Sequence, residues 1–352
     1  GEVLLAQHKP SEALEVLNKA LALVRGIGET SLEATALLAI SEVHAVHAWA
    51  DEALEAAHAA RLLFSELDDK RGEGRSWTAV AQAHFMACAP ESALQSVEKA
   101  LPLFRAAEDR QREASALVMM AQAQRANEKP REALRQARKA LEMYQQIGGR
   151  TGEGRALNVI VEAHTDRGNY EKALDEAKLG LSRLQRHGCK LGEAYVHDAK
   201  VRVHLARHRF EEALRAGYEA MEKVRSTGRA RGSRLLVLSL LHLSNEQPDW
   251  AEQALGEAAG IYSELDDGKG KALVEYARAH VLVERGELEE ALQAASASRE
   301  LLQEIGDVTC EAGVLLFQGH VRGMQGQFAQ LVALAREAQA LFEEAGCRLG
   351  VA

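Results

Sequence analysis

The chain has 352 residues, of which only 5% are aromatic and five are proline, and its formal net charge is −9. Alanine, leucine, glutamate, arginine and glutamine fill nearly every window, and these residues are strong helix formers. A net charge of this sign and size excludes a surface that coats nucleic acid generally, and no run of eighteen apolar residues is present that could cross a membrane. Composition therefore predicts a soluble, helical protein with no nucleic-acid partner and no membrane insertion.

The cysteines and the first residues bear on the compartment. Cys88, Cys189, Cys310 and Cys347 are scattered and form no CxxC pair, which favours free thiols in a reducing compartment. Gly1 is not followed by a signal-type apolar core, so no targeting segment is read from the sequence. We expect an intracellular, cytoplasmic location.

An Ala-Leu pair recurs along the chain with a step of 40 residues. It stands at Ala13-Leu14, Ala53-Leu54, Ala93-Leu94, Ala133-Leu134, Ala173-Leu174 and Ala213-Leu214, and it resumes at Ala291-Leu292. The last interval is 78 residues, so the unit around Ala251 is two residues short. Self-similarity at a fixed period of this length predicts a repeat array.

Taken in chain order, each unit predicts a helix A, a short turn, a helix B and a loop. In one unit, helix A is predicted from about Glu153 to Asp166 and helix B from Tyr170 to about Arg186. Glycine just past a helix end, as at Gly148, takes the left-handed conformation that other residues resist, and a proline such as Pro130 suits the first turn of helix B. The predicted units are 1–28 (partial), 29–68, 69–108, 109–148, 149–188, 189–228, 229–266, 267–306 and 307–346, with 347–352 starting a further unit.

The predicted helix B has one apolar stripe. Tyr170, Ala173, Leu174, Ala177 and Leu181 fall at i, i+3, i+4 and i+7 spacings. A single pair of helices cannot cover such stripes from both sides, so neighbouring pairs must stack. Stacking predicts one all-α solenoid of about nine units. Because Gly1 falls within a helix A and 350–352 begin another, we expect the array to continue beyond both ends or to be capped by another molecule.

The segment Gly154-Arg155-Ala156-Leu157-Asn158, followed by Gly168-Asn169-Tyr170-Glu171-Lys172-Ala173-Leu174, resembles the 40-residue tetratricopeptide (TPR) repeats of kinesin light chains and G-protein signalling modulators. The resemblance implies a right-handed α-solenoid with small residues where helices pack. On helix A these residues are Ser41, Ala81, Ala121, Ala279 and Gly319, with the larger Val161 and Val201. On helix B they are Ala53, Ala93, Ala133, Ala173, Ala213 and Ala291.

Five histidines share one position of helix A when the short unit is aligned on Ala251: His44, His84, His164, His204 and His242. Equivalent positions of stacked helices lie at least about 8–10 Å apart, whereas two imidazoles on one zinc need nitrogens within about 4 Å. His204 with His208 and His44 with His47 have a spacing that one metal ion could bridge, but no third ligand accompanies either pair. We expect structural histidines and no bound metal.

No segment has the chemistry of an enzyme or of a cofactor site. Gly268-Lys269-Gly270-Lys271 lacks the preceding strand and the GxxxxGK[ST] spacing of a phosphate loop, and it coincides with the loop between units. Carboxylates are numerous, but no copy of the repeat singles one out as a general acid or base. We expect no catalytic residue, no cofactor and no enzymatic activity.

Two segments depart from the regular pattern. Residues 235–243 are apolar on every face, whereas other A helices keep a polar side, so a partner or the packing of the shortened unit must cover them. A basic run is either a solvated edge or a docking site for an acidic partner. It comprises Lys223, Arg225, Arg229, Arg231 and Arg234.

In proteins with these repeats helix A lines the concave groove, so the resemblance implies a set of partner-binding residues. Asn158 matches the asparagine that clamps the peptide backbone in kinesin light chains. The positions that form a carboxylate clamp in chaperone-binding arrays hold Thr35, Arg75, Ser115 and Arg155, which argues against that clamp. The candidate residues are Arg75, Gln82, Gln122, Arg125, Arg155, Asn158, Glu162, Tyr195, Asp198, Arg202, Leu236, Leu240, Leu243, Tyr276 and His280.

The sequence leaves two classes of function open. The first is a non-catalytic scaffold or structural subunit of a larger assembly, which binds a peptide or helix of a protein partner in its groove. The alternative is a ligand- or partner-sensing domain of a larger signalling or transcription-control protein. TPR arrays serve many unrelated partners, so the fold alone does not decide between them.

Overall fold

The computed structural model describes residues 10–47, 49–223 and 228–344. Within these residues the chain forms seventeen α-helices and no strand. The helices are α1 (Pro10–Ile27), α2 (Thr30–His47), α3 (Ala50–Glu66), α4 (Lys70–Met86), α5 (Pro90–Ala106), α6 (Arg110–Ala126), α7 (Pro130–Ile147), α8 (Arg150–Asp166), α9 (Tyr170–Arg186), α10 (Lys190–Ala206), α11 (Phe210–Lys223), α12 (Arg229–Ser244), α13 (Pro248–Glu264), α14 (Gly268–Glu284), α15 (Leu288–Ile305), α16 (Val308–Met324) and α17 (Phe328–Glu344). Even-numbered helices from α2 onward are A helices, and odd-numbered helices are B helices.

The helices pack as stacked helix–turn–helix pairs. Each A helix contacts the B helix that follows it, as α4 contacts α5, and each B helix also contacts the next A helix. Several pairs of neighbouring A helices also contact each other along the stack, most extensively α8 and α10. The prediction of an all-α solenoid of tetratricopeptide-like pairs is confirmed. The expected continuation of the array at either end lies outside the described residues.

The small anchor residues of the repeat lie at the helix–helix contacts. Ala53, Ala93, Ala133, Ala173, Ala213 and Ala291 have no solvent-accessible surface. Because a methyl group is all that fits between helix A and helix B, the alanine column is a packing requirement.

In most units, a residue with a left-handed backbone conformation follows the end of each helix. Gly148 has φ +73°, as predicted for a glycine at a helix end, and the Gly149 amide donates to the Tyr144 carbonyl. Cys88 has φ +51° just past the end of the A helix α4, although no glycine marks it in the sequence. The loops therefore share one geometry whether or not glycine is present.

Two A helices approach each other closely at a pair of glycines. A Cβ built on Gly154 of α8 would lie 2.4 Å from the Cα of Gly192 on α10. Only glycine allows the two backbones to come so near. This contact sets the spacing between α8 and α10, which both contribute to the concave surface.

The stack curves until distant units meet. Cys88, in the loop between α4 and α5, packs against an apolar cluster formed by α16 and α17. On the concave side, α12 and the loop between α13 and α14 face α2, α4, α6 and α8 across a common cavity. Segments more than a hundred residues apart in sequence thus share one surface.

Among the described residues, no helix is long and apolar enough to span a membrane.

Candidate functional site

The concave surface carries two adjoining cavities, and both are lined mainly by A helices. The first, which we call the arginine cavity, has a volume of about 890 Å³. The second, which we call the apolar cavity, has a volume of about 600 Å³ and lies between α8, α10, α11 and α12. Ala230 and Ser233 in the first turns of α12 line both cavities. The two cavities are therefore neighbours on one groove.

One wall of the arginine cavity presents side chains from successive A helices. Arg75 on α4 and Arg155 on α8 stand at the same repeat position, with Ser115 of α6 between them. Arg112 lies one helical turn earlier on α6. Equivalent positions of stacked helices share a face, so this wall is a direct consequence of the repeat.

Few carboxylates balance these guanidinium groups. Arg75 reaches Glu42 at 3.8 Å, and the Arg112 Nε lies 3.2 Å from the Asp109 Oδ2. Asp109 is shared, because the Arg71 Nε also donates to it at 2.6 Å. Arg155 makes no ion pair with any described residue. This wall therefore carries more positive than negative charge.

The opposite wall of the arginine cavity is closed by an ion pair. Arg229, at the start of α12, donates to both carboxylate oxygens of Asp267. Asp267 also caps α14, since its Oδ1 accepts from the Gly270 amide at 3.0 Å. The pair fixes the loop between α13 and α14 against α12.

The apolar cavity has an aliphatic floor. Leu238 and Leu241 are buried beneath it, whereas Val237 and Leu240 keep 44% and 48% of their surface exposed. Residues 235–243 were predicted to need cover on every face. Their buried members are covered by the fold, and Val237 and Leu240 face the cavity.

Charged side chains at the rim of the apolar cavity are paired with one another. The carboxylate of Glu162 accepts from Arg125 and, at 2.8 Å, from the Arg202 Nη1. Arg234 donates to both oxygens of Asp198, at 3.2 and 2.8 Å. Burial raises the pKa of Glu162 and of Asp198, and the guanidinium partners oppose that shift. The rim thus offers no uncompensated charge.

The structure brings seven of the fifteen predicted groove residues to the cavities. Arg75, Gln82 and Arg155 line the arginine cavity, and Glu162, Asp198, Arg202 and Leu240 line the apolar cavity.

Two predicted residues bind each other across the stack. The Asn158 amide nitrogen on α8 donates to the Tyr195 carbonyl on α10 at 2.9 Å. The asparagine likened to a backbone clamp thus already holds a backbone carbonyl of its own chain.

Four other predicted residues do not line either cavity, and they lie in ion pairs, on a half-buried helix face or in the core. Arg125 is engaged with Glu162 and also pairs with Asp166. Gln122 is half-buried on α6 and lines neither cavity. Leu236 and Leu243 pack against the core between α12, α13 and α14.

An aromatic cluster holds the last two predicted residues. Tyr276 and His280 of α14 surround Phe317 of α16, with ring centroids 5.5 and 4.4 Å from the Phe317 ring. Burial lowers the pKa of His280. Both side chains belong to the packing between two A helices.

Sequence reasoning did not single out several residues of these surfaces. Arg112 could have been noticed, because glycine stands at its repeat position in Gly72, Gly152, Gly192 and Gly270. Arg229 was read only as part of a basic run, and its place opposite Arg112 follows from the curvature of the stack. Val237 belonged to the apolar segment 235–243 but was not chosen as a groove residue, and Phe317 had no signal that distinguished it from core residues.

The histidine column is made of separate side chains. The His242 ring is bound on both sides, by the Tyr218 hydroxyl and the Gln247 side-chain oxygen, each at 2.8 Å. His164 is buried without a hydrogen-bond partner, and burial lowers its pKa. In the described part of the chain, no three His, Cys, Asp or Glu side chains are grouped so that they could hold a metal ion.

Comparison with known proteins rests on structure. No family model and no curated protein matches the sequence. The apo form of the quorum sensor NprR from B. thuringiensis matches with a TM-score of 0.60 at 10% identity, covering 94% of this chain and 98% of its own. The Rap conjugation gene regulator of plasmid pLS20, in complex with the Phr* peptide, matches with a TM-score of 0.60 at 13% identity, covering 95% and 96%.

A third match is to part of a larger protein. The signal-transduction ATPase with a tetratricopeptide repeat sensor from Pyrococcus horikoshii matches with a TM-score of 0.52 at 15% identity, covering 95% of this chain and 54% of its own. Identities this low establish the fold alone. By its fold, this chain is a tetratricopeptide-like repeat protein.

Proposed function

We propose that the chain is a non-catalytic protein-binding module, a scaffold or structural subunit, that holds a peptide or helix of a partner protein in its concave groove. The observation that carries this proposal is the apolar cavity. Val237 and Leu240 stand half-exposed over buried leucines, in a recess of about 600 Å³. An apolar recess with a polar rim is characteristic of interaction sites.

The energetics favour an aliphatic or aromatic anchor from the partner. Full burial of one leucine-sized side chain contributes about 1.5–3 kcal/mol, so burying the exposed parts of Val237, Leu240 and an incoming side chain contributes several kcal/mol. The rim pairs Glu162–Arg202 and Asp198–Arg234 are already satisfied, so an apolar occupant leaves no charge without a partner. A ligand of this kind binds without rearranging the rim.

The compared structures support the proposal that the groove binds a peptide. The pLS20 Rap regulator was solved with its Phr* peptide, and its fold matches 95% of this chain. An array of this length and curvature can therefore accommodate a peptide.

The experiment uses the full chain and a random peptide library displayed on phage. Peptides selected on the native chain are then measured by fluorescence anisotropy against Leu240→Asp. We expect at least tenfold weaker binding, since the loss of one apolar contact and the burial of a carboxylate together exceed 1.4 kcal/mol.

Leu179→Asp is the matched control. Leu179 lies on the B helix α9 and is 58% exposed, so its substitution changes hydrophobicity and charge equally without touching the groove. Selected peptides that bind Leu240→Asp as tightly as the native chain would refute the proposal. If both substitutions weakened peptide binding to the same degree, the peptide would not be bound specifically at the apolar cavity, and the proposal would also be refuted.

A second candidate function is a ligand-sensing domain of a larger regulator. The observation that favours it is the arginine cavity, whose volume of about 890 Å³ suits a small ligand and whose walls come from distant units. A ligand bound between such walls changes how the units are held together, and that is the requirement for a sensor.

A further inference from the structure

We propose that the arginine cavity is a binding site for a small ligand that carries clustered oxyanion oxygens, held by Arg75, Arg112 and Arg155 on one wall and closed by α12 on the other. The inference rests on the second candidate function, which it makes specific. It does not depend on peptide binding at the apolar cavity, which is tested with other residues.

The first wall has a surplus of positive charge that the described residues do not compensate. Three guanidinium groups line it, and Glu42, the one carboxylate among the described residues of this wall, stands 3.8 Å from Arg75. Asp109 lies behind Arg112 and is bound by Arg71 as well, so it neutralises one charge of two.

Arg155 is the clearest case. It is half-buried in the groove, and no carboxylate of the described chain lies within ion-pair distance of it. A guanidinium in a partly desolvated recess is favourable only when an anion or water meets it, and carboxylate or phosphate oxygens fit its fork of donors.

The second wall supplies closure and no compensating charge. Asp267 is engaged by both donors of Arg229, and Asp266 pairs with Lys271 at 2.8 Å. Both carboxylates of this wall therefore already have cationic partners other than the three arginines of the first wall. The remaining groups of α12 that face the cavity, Ala230 and Ser233, are small and leave room for a ligand.

The titration of Arg112 is consistent with this electrostatic picture. Burial and the neighbouring guanidinium of Arg75 lower the pKa of Arg112, while Asp109 opposes the shift. An oxyanion between the three arginines would relieve their mutual repulsion. It would also link units 69–108 to 149–188 with α12, because the ligand contacts both walls.

The test measures thermal unfolding of the full chain with inorganic phosphate, with citrate and with sodium chloride at matched ionic strength. We expect phosphate, citrate or both to raise the unfolding midpoint by at least about 2 °C above the chloride sample at saturation. A rise with phosphate alone identifies a phosphate-bearing ligand, and a rise with citrate alone identifies a carboxylate-bearing one. No rise above chloride with either probe overturns the proposal.

Variants separate site binding from the general stabilising effect of these salts. In chloride, Arg155→Gln should unfold at or slightly above the midpoint of the native chain, because it removes one of three mutually repelling charges. It should lose the additional rise with phosphate or citrate, with at least tenfold weaker probe binding. Arg135→Gln is the matched control, because Arg135 is exposed on the B helix α7 and makes no ion pair with the described residues. An equal rise in Arg155→Gln and the native chain overturns the proposal.

A carboxylate introduced into the cavity by substitution provides an independent test. Ala230 is exposed on α12 and lines the cavity opposite the arginines. Ala230→Glu places an anion there, so we expect the response to added phosphate or citrate to disappear. Retention of the full response would show that the probe does not sit between the two walls and would overturn the proposal. Because Leu240 is unchanged in all these variants, failure here leaves the peptide experiment intact.

Discussion

Substitution of Gly154 by alanine tests the helix spacing on which the groove depends. The added Cβ would lie 2.4 Å from the Cα of Gly192, 2.7 Å from its carbonyl oxygen and 2.9 Å from its carbonyl carbon. Favourable carbon–carbon contacts lie at about 3.5–4.0 Å, so α8 and α10 must separate by roughly 1 Å. All three opposing atoms belong to the backbone, so no side-chain rotation can relieve the contact.

The magnitude follows from two opposed effects. Overpacking of this kind costs about 1–3 kcal/mol, and rigid backbone on both sides favours the upper part of that range. Alanine in place of glycine within a helix returns about 1 kcal/mol. We therefore expect Gly154→Ala to lower the free energy of unfolding by at least about 1 kcal/mol.

The matched control is expected to change the free energy of unfolding in the opposite direction. Gly256 lies inside α13, is exposed, and would carry a Cβ with no atom within 4 Å. Gly256→Ala should stabilise the chain by up to about 1 kcal/mol through helix propensity alone. Urea unfolding of both variants, followed by circular dichroism, gives the comparison. A gain in Gly154→Ala similar to that of Gly256→Ala would show that α8 and α10 are not in close contact.

The same substitution bears on function. The α8–α10 contact holds the Asn158 bond to the Tyr195 carbonyl and the Glu162–Arg202 pair at the rim of the apolar cavity. Wider spacing between the helices should therefore also weaken the binding of the peptides that were selected on the native chain. Unchanged peptide affinity in a destabilised Gly154→Ala chain would separate the helix spacing from the binding site.

Two further predictions concern stability. Ala173→Leu should lower the free energy of unfolding in urea by about 1–3 kcal/mol, because Ala173 is fully buried. Ala297→Leu, on an exposed part of α15, should change it by no more than about 0.5 kcal/mol. Equal effects of the two substitutions would contradict the packing. Burial lowers the pKa of seven histidines (His44, His58, His84, His164, His197, His204 and His280). The unfolded chain then binds more protons below about pH 6.5, so stability is fully present above that pH and falls as the pH drops below it. Thermal unfolding between pH 7.5 and 5.5 should show a smaller fall for His164→Gln than for the native chain, and an identical fall would refute the contribution of His164.

Much of the local structure could be predicted from the sequence. The alanine column and the stripe around Ala173 follow from the 3.6-residue period, and α9 runs from Tyr170 to Arg186 as predicted. Those features depend on neighbours within one or two units, and the repeat states them many times over. Cys88 shows the limit of such reasoning, because it takes a left-handed conformation that the sequence does not mark.

The lining of the two cavities could be predicted only in part. Arg75, Arg155 and Leu240 were found because the resemblance assigns helix A to the groove. Leu236 and Leu243 were included with them, but they pack against the core, since the shortened unit shifts which face of α12 looks outward. A two-residue change turns a helix by about 200°, so an uncertain alignment there exchanges the buried and exposed faces.

What the sequence by itself determined is the unit: two helices, their packing stripes and the small residues between them. Only the tertiary structure decided that Arg112 and Arg229, 117 positions apart, share one cavity. Each unit is rotated slightly against the one before it, and these rotations add along the array until distant units face each other. The angle depends on side-chain contacts at every interface, such as that of Gly154 with Gly192, and no local pattern of residues records their sum.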